Sequence, residues 1–455
     1  MHNYKTQTKH KSRRILWKNG LAGILFLAFL LFTAPITCIH AEEKGQWAYD
    51  EDKNVYFYTD EQGFKYRLNE QEDESYVLSS IPEDMQGEIE IPSEMTIEGK
   101  VRKLHHLDTD TLRIPKGVTK VTFGEGIYCG SDSIFEQCNP DLVVSGCLED
   151  TVDSILMLAK NKGLKMEYQN GYTDKNGILY YAGQPIEEDG TKGKKTGIVY
   201  SYDGKAENIM VESKISVQGI TYPVTVIGKG AFEYSKVKKV TLPDTITTVE
   251  FSAFQGCKAL TGVKLSKKLT DLGHSVFTDC TSLTSIEIPS GVTRLSTSAF
   301  TNCKKLKKVT LSKNMKSIGD YVFSSCENLA VIKNLDKVED IGSETFSYCK
   351  KLTSLTFGKK LGCIGSGAFY ACTSLKSVTI QSPSMEYIGE MAFYGTKKLK
   401  TLTIKTLNLT SDNLGKDALK ETGKKMVVKV PAKKVNEYKK LLKKYGNTTI
   451  VVKKL

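Results

Sequence analysis

Apolar and polar positions recur along residues 232–393 with a fixed spacing. Phe232, Phe254, Phe277, Phe300, Phe323, Phe346, Phe369 and Phe393 follow at steps of 22, 23, 23, 23, 23, 23 and 24 residues. Three residues after six of them stands a cysteine: Cys257, Cys280, Cys303, Cys326, Cys349 and Cys372. Six residues after seven of them stands a leucine, from Leu260 to Leu399. Apolar pairs such as Val263/Leu265, Ile286/Ile288, Val309/Leu311 and Val378/Ile380 then flank one outward residue. That alternation predicts a short strand with one face inward. Pro289 ends its copy of the strand, since it offers no N–H. Val292 and Leu295 turn back inward, and residues 298–303 supply a small helical or 3-10 turn that carries the ring. An Ile-Gly or Leu-Gly step precedes most of the rings, as at Ile318-Gly319 and Ile364-Gly365.

A period of about 20–29 residues with Leu-type positions at fixed offsets is the pattern of a leucine-rich solenoid. One coil cannot cover its own apolar side, so coils stack. The expected fold is a β-rich α/β leucine-rich-repeat solenoid, a right-handed stack of coils of about 23 residues. It carries a parallel concave sheet, short helical or 3-10 turns opposite, and cap helices. With strands about 4.8 Å apart, eight coils span roughly 40 Å.

The same grammar occurs upstream in worn form. Leu112-Arg-Ile-Pro-Lys-Gly-Val-Thr119 matches Ile286-Glu-Ile-Pro-Ser-Gly-Val-Thr293, and Ser133-Ile-Phe135-Glu-Gln-Cys138 matches Ser298-Ala-Phe300-Thr-Asn-Cys303. Before it, Val55-Tyr-Phe-Tyr58 and Phe64-Lys-Tyr66-Arg-Leu68 alternate around Asp60-Glu-Gln-Gly63, a hairpin pattern. Residues 149–160 read as an amphipathic helix with Val152, Ile155, Leu156 and Ala159 on one face. Gly163 stops it, and a strand follows over 164–168. The end of the chain repeats this plan. Val427-Val-Lys-Val430 leads to a helix with Val435, Tyr438, Leu441, Leu442 and Tyr445 on one side, then Gly446 and a strand over 449–452. Two caps imply two modules, 42–170 and 171–455, breaking near Asn170. The second comprises a β entry (171–219), the repeats (220–405) and a Lys-rich cap (406–455), with an exposed loop at 187–197.

Residues 1–41 read as a secretory signal. Lys9, Lys11, Arg13, Arg14 and Lys18 precede an apolar run over 21–34, too short to span a bilayer comfortably. Cleavage after Ala41 fits. An uncleaved anchor and a lipid on Cys38 are the other readings, although Pro35-Ile36-Thr37 suits a lipid site badly.

The phrase Ile341-Gly342-Ser-Glu-Thr-Phe346-Ser-Tyr-Cys349-Lys-Lys-Leu352-Thr-Ser-Leu355 resembles the BspA-like leucine-rich repeat family of bacterial surface proteins. The resemblance is clear over 220–405 and worn over most of the remaining chain. It implies a secreted or wall-associated binding protein, with adhesion to host or neighbouring-cell macromolecules. No motif in the repeat encodes a ligand, so no residue role follows from the family.

Composition leaves little room for catalysis. The 455 residues are 40% hydrophobic and 25% charged, as in ordinary globular chains. Stacked coils would bring successive cysteine Cα atoms near 5 Å, within disulfide range, but with parallel side chains that strain a bridge. No CxxC pair occurs, and the ladder cysteines read as small buried thiols. Cys129, Cys138 and Cys147 are nine residues apart and leave room for one bridge. His105, His106 and His274 show no metal spacing. Neither a Gly-x-Ser-x-Gly elbow nor a phosphate-binding loop is present. We therefore expect no enzyme, no cofactor and no metal site.

Charge is distributed unevenly. The formal net charge of +12 hides an acidic stretch, 42–100, with 17 Asp/Glu against 5 Lys/Arg. It also hides a basic end, 397–455, with 17 Lys against 4 acids. Such an end attracts polyanions. Aromatics interleaved with the lysines, which nucleic-acid stacking needs, are nearly absent there, so no nucleic acid is expected. The outward residue of each repeat strand gives a candidate concave binding face: Lys264, Glu287, Thr310, Lys333, Thr356, Thr379 and Thr403. Thr favours strands, so a merely solvated face explains much of it. The functional reading is a flat platform for a protein or glycan macromolecule at the cell surface. The expected protein is a secreted or wall-associated, monomeric adhesin-like module with no transmembrane span after signal cleavage. The alternative is a structural wall or matrix component whose Lys-rich end holds anionic wall polymers.

Overall fold

Two parallel ladders and one column of turns run along the repeats. In the computed structural model the described residues are 45–50, 55–68, 75–97, 99–124, 127, 129–146, 155–185, 191, 193–445 and 448–455. The leader, Cys147, Val152 and Gly446 lie outside them. The first, longer ladder takes one strand per coil from Asn208–Met210 to Val451–Lys454, in three hydrogen-bonded runs that break after Gly262–Lys264 and after Val331–Lys333. The second is built from two-residue strands, among them Asp271–Leu272, Ser317–Ile318 and Tyr387–Ile388. It uses the Ile-Gly and Leu-Gly steps. Gly365 and Gly389 stand there because consecutive backbones touch. A Cβ on Gly365 would lie 2.4 Å from the carbonyl carbon of Gly342, and one on Gly389 2.4 Å from the Ser366 nitrogen.

The segments that carry the rings form turns; no helix is assigned between Phe232 and Phe393. The residues two before and two after each ring have left-handed backbones, such as Ser275 (φ 56°) and Asp279 (φ 60°) around Phe277. Such conformations cost an L-residue about 1–2 kcal/mol each. Here they direct alternate N–H groups at the next coil: Ser275 donates to Thr297, Phe277 to Ala299 and Asp279 to Thr301, at 2.8–3.0 Å. The expected helical or 3-10 turn is thus replaced by a third hydrogen-bonded column.

The rings themselves form one stack. From Phe232 to Phe393 successive centroids lie 4.9–5.6 Å apart with planes within 15°. Tyr202 packs on Phe232 at the start of the stack, at 5.4 Å with its plane tilted by 36°. At the far end the pattern runs one coil further than the phenylalanines. Asp417 and Glu421 repeat the left-handed pair around Leu419, and Phe393 donates to Ala418.

Residues Lys44–Leu455 make one compact unit. It starts with Gln46–Asp50 paired antiparallel to Val55–Thr59, which forms the expected hairpin with Lys65–Leu68, Tyr58 opposite Tyr66. Asp60 fixes the turn by accepting from the Gln62 and Phe64 amides. A four-stranded parallel sheet follows, ordered from Gly87–Ile91 through Val118–Phe123 and Val143–Gly146 to Lys165–Tyr168. The short helix Ile155–Asn161 buries Ile155, Leu156 and Ala159 against it, and Gly163 (φ 74°) ends it. The strands after Asn170 serve two cores at once. Ile178, Tyr180, Ala182 and Val199 face the repeat core, whereas Leu179, Tyr181, Ile198 and Val226 face the upstream core. Strand Thr196–Tyr202 takes in the last two residues expected in the 187–197 loop.

The closing helix Val435–Lys444 buries Tyr438 and Leu442. The Tyr438 hydroxyl donates to the Thr406 carbonyl (3.1 Å) and accepts from the Leu409 amide (3.0 Å).

Candidate binding face

Pleating decides which side chains leave the stack. In Ser285–Glu287 the middle residue, Ile286, is buried, while Ser285 and Glu287 stand out to solvent. The same alternation repeats along the longer ladder, so each coil presents two outward columns. One column contains every residue of the expected face. Glu287, Thr310 and Lys333 are paired in hydrogen-bonded register, as are Thr356, Thr379 and Thr403. Lys264 pairs with Thr241 on the preceding coil. Lys264, Glu287, Lys333 and Thr356 are exposed; Thr310, Thr379 and Thr403 are half-buried among their neighbours.

The column continues beyond the residues that sequence spacing named. Thr403 pairs with Lys429, and Lys429 with Lys453. Those two lysines were legible only as members of a basic end, because no ring marks their coils. The second outward column, two residues earlier, includes Lys239, Ser285, Lys308, Ser354 and Ser377. Its signal was present in the sequence as the residue before each inward apolar position.

The ladder cysteines face the other way and are satisfied internally. Each donates its thiol to the carbonyl of the ring residue one coil back, as Cys303 does to Phe277 (3.1 Å) and Cys372 to Phe346 (3.0 Å). The same carbonyl accepts a backbone N–H from its own coil, as Phe277 does from Cys280. Both lone pairs are therefore used. Burial pushes the Cys257 thiol up to about 11 and the Cys372 thiol up to about 12. A thiol held protonated is a poor nucleophile and a poor metal ligand. Cys129 and Cys138 are free thiols, and Cys129 donates to the Ser131 carbonyl. Cys363 is half-buried on the second ladder, where burial, then Asp340 and Glu386, push its thiol up. Among the described residues, no three of His, Cys, Asp and Glu gather as a metal site. No helix of these residues is long and apolar enough to cross a membrane.

The comparisons with known proteins bear on the repeats. A family model for the BspA type leucine rich repeat region matches in six copies, over residues 225–350 and 318–439. The repeats are of the BspA type. Their match runs past Phe393 through the coil of Leu419, as the backbone pattern does. Among solved structures, the chain is similar to a leucine rich cell surface protein from Faecalibacterium prausnitzii, at 20% identity and TM-score 0.34, covering 58% of this chain and 89% of that one. It is also similar to a leucine-rich repeat protein from Eubacterium ventriosum, at 22% identity and TM-score 0.37, covering 58% and 72%. A third is the pneumococcal vaccine antigen PcpA, at 14% identity and TM-score 0.26, covering 90% and 99%. No curated protein matches the chain.

Proposed function

We propose that this chain is a non-enzymatic binding scaffold of the cell exterior, whose longer ladder face receives another macromolecule. One observation carries the reading. Between Ser285 and Ile404 the outward residues stand in register within two runs of paired strands, and all but the exposed Val331 are polar, while the residues between them turn inward. A face repeated at the strand spacing, about 4.8 Å, suits an extended ligand that meets equivalent groups on each coil. Export is part of the reading, supported by the charged and then apolar leader and by the BspA type repeats. Adhesion to a host or neighbouring-cell macromolecule is the role that fits such a face.

The test is saturable binding of the full chain to a panel of extracellular-matrix proteins and isolated Gram-positive wall fragments. Thr356→Glu, Thr379→Glu and Thr403→Glu together should abolish it in protein that circular dichroism shows to be folded, with some loss of thermal stability from three carboxylates in register. Binding that persists in this triple variant moves the site off the ladder. A wall component held by its basic end is the second reading, favoured by the run of the same column into Lys429 and Lys453. Retention on wall fragments that survives the threonine changes but is lost with residues 424–455 would select it.

A further inference from the structure

The lysine excess of this protein is sorted by the side of the coil. Over residues 247–409 each coil divides into two parts. One runs from the ladder cysteine position through the longer ladder to its following corner, as in 303–315. The other runs through the second ladder and the ring turn, as in 316–325. The first parts, taken together, hold 20 lysines and 3 acids. The second parts hold 2 basic residues, Arg294 and Lys316, and 9 acids. All 20 of those lysines are exposed. Lys350 and Lys360 are drawn into ion pairs, with Glu327 and Glu339. A charge kept only for solubility has no reason to choose a side.

We propose that the longer ladder side is a polyanion-binding face, and that its occupant is a linear polyol-phosphate chain lying along the stack axis. This deepens the reading of that face as the binding surface and rests on it. Lys264, Lys308 and Lys333 stand on the ladder itself, and Lys304, Lys305, Lys359 and Lys360 line its two corners. An extended anionic chain running across the strands meets a cation on most coils.

The chemistry of the face selects among anions. Lysine presents a compact charge with three rotatable donors, which suits phosphate oxygens without fixing a plane. Between 247 and 409 these coil sides carry no arginine, so there is no fork for planar, bidentate recognition. They also lack tyrosine and tryptophan, and Phe357 is fully buried, so no ring is offered for stacking bases or pyranose faces. The threonine and serine hydroxyls of Thr310, Thr356, Thr379, Ser354 and Ser377 provide partners for ligand hydroxyls. Flexible chains of phosphates and hydroxyls match that set.

The experiment uses the purified full chain and defined poly(glycerol phosphate), with titrations at 50, 100 and 200 mM salt. Three proteins are compared: the natural chain, Lys264→Gln/Lys308→Gln/Lys333→Gln, and the control Lys229→Gln/Lys416→Gln/Lys420→Gln on the ring-turn side. We expect the ladder variant to weaken binding at least tenfold. The slope of log affinity against log salt should drop by about 2, since each lost contact to a single-stranded polyanion removes about 0.7. The control should stay within twofold. Equal loss in both variants means that total charge alone binds, and overturns the proposal. So does tighter binding of heparin or single-stranded DNA than of poly(glycerol phosphate). If no polyanion binds but a matrix protein does, and the threonine triple variant abolishes that, the binding face stands and the polyol-phosphate assignment falls.

Discussion

Two small residues do most to set the coil spacing. The ladder cysteine is short enough to sit under the ring and still donate to the carbonyl one coil back. Ser235, Thr396 and Thr422 take its place at the ends; Thr396 and Thr422 donate to the ring-position carbonyl of their own coil instead. Cys257, Cys280, Cys303, Cys349 and Cys372 all have thiols raised by burial. Below about pH 8 the folded and unfolded thiols are both protonated, and their contribution to stability is fully present. As pH rises past about 9 the unfolded thiols ionise first, so stability must fall. Urea midpoints should be flat from pH 6 to 8 and decline from pH 9 to 10, with a shallower decline in Cys303→Ala. Alkylation of the native protein should reach Cys363 and Cys138 before the ladder thiols. The glycine of the Ile-Gly step is equally constrained. Gly365→Ala should cost more than about 2 kcal/mol by denaturant titration, beyond the ordinary propensity difference, because the added carbon meets backbone that cannot move aside.

At the scale of the coil, the ring stack is the main apolar resource. Phe300→Ala removes a fully buried ring from between two neighbours and should cost about 3–5 kcal/mol. Phe300→Leu should cost far less, since Leu419 already fills that place in the ninth coil. Chemical denaturation of the two variants side by side checks both. Tyr438→Phe should cost about 1–3 kcal/mol, because it leaves the Leu409 amide buried without its partner. These elements differed in legibility. The coil period, the inward strand positions and both cap helices could be read because each rests on local apolar spacing. The ring turn could not. Its left-handed residues include Tyr321, Glu344 and Met391, types with no such preference, and the conformation is held by hydrogen bonds to the next coil. The second ladder was hidden for the same reason, since its strands are two residues long and exist only by pairing.

For the whole molecule the decisive feature is the sidedness of charge. Net charge and the two ends were countable in the sequence, and so was the outward column from Lys264 to Thr403. The sorting of 20 lysines to one side needed the coil to be closed, because lysines from 4 to 14 positions after a ring scatter in a linear reading. A sided molecule should be held at low salt by both cation- and anion-exchange matrices at pH 7. Reversal of Lys264, Lys308 and Lys333 to Glu should weaken retention on the cation exchanger more than the same reversals at Lys229, Lys416 and Lys420.

The ring turns also give the stack an electrical direction. In an ordinary strand successive peptide groups point to opposite neighbours, and their dipoles cancel. In these turns the three aligned peptide groups of each coil direct their carbonyls to the previous coil and their N–H groups to the next. Three columns of peptide dipoles therefore add along the axis, as they do in an α-helix. The positive pole emerges at the last coil, and Asp417 and Glu421 stand on that rung. They put negative charge on the rung of the positive pole, Asp417 beside Lys420 and Glu421 on the Tyr394 hydroxyl of the coil before.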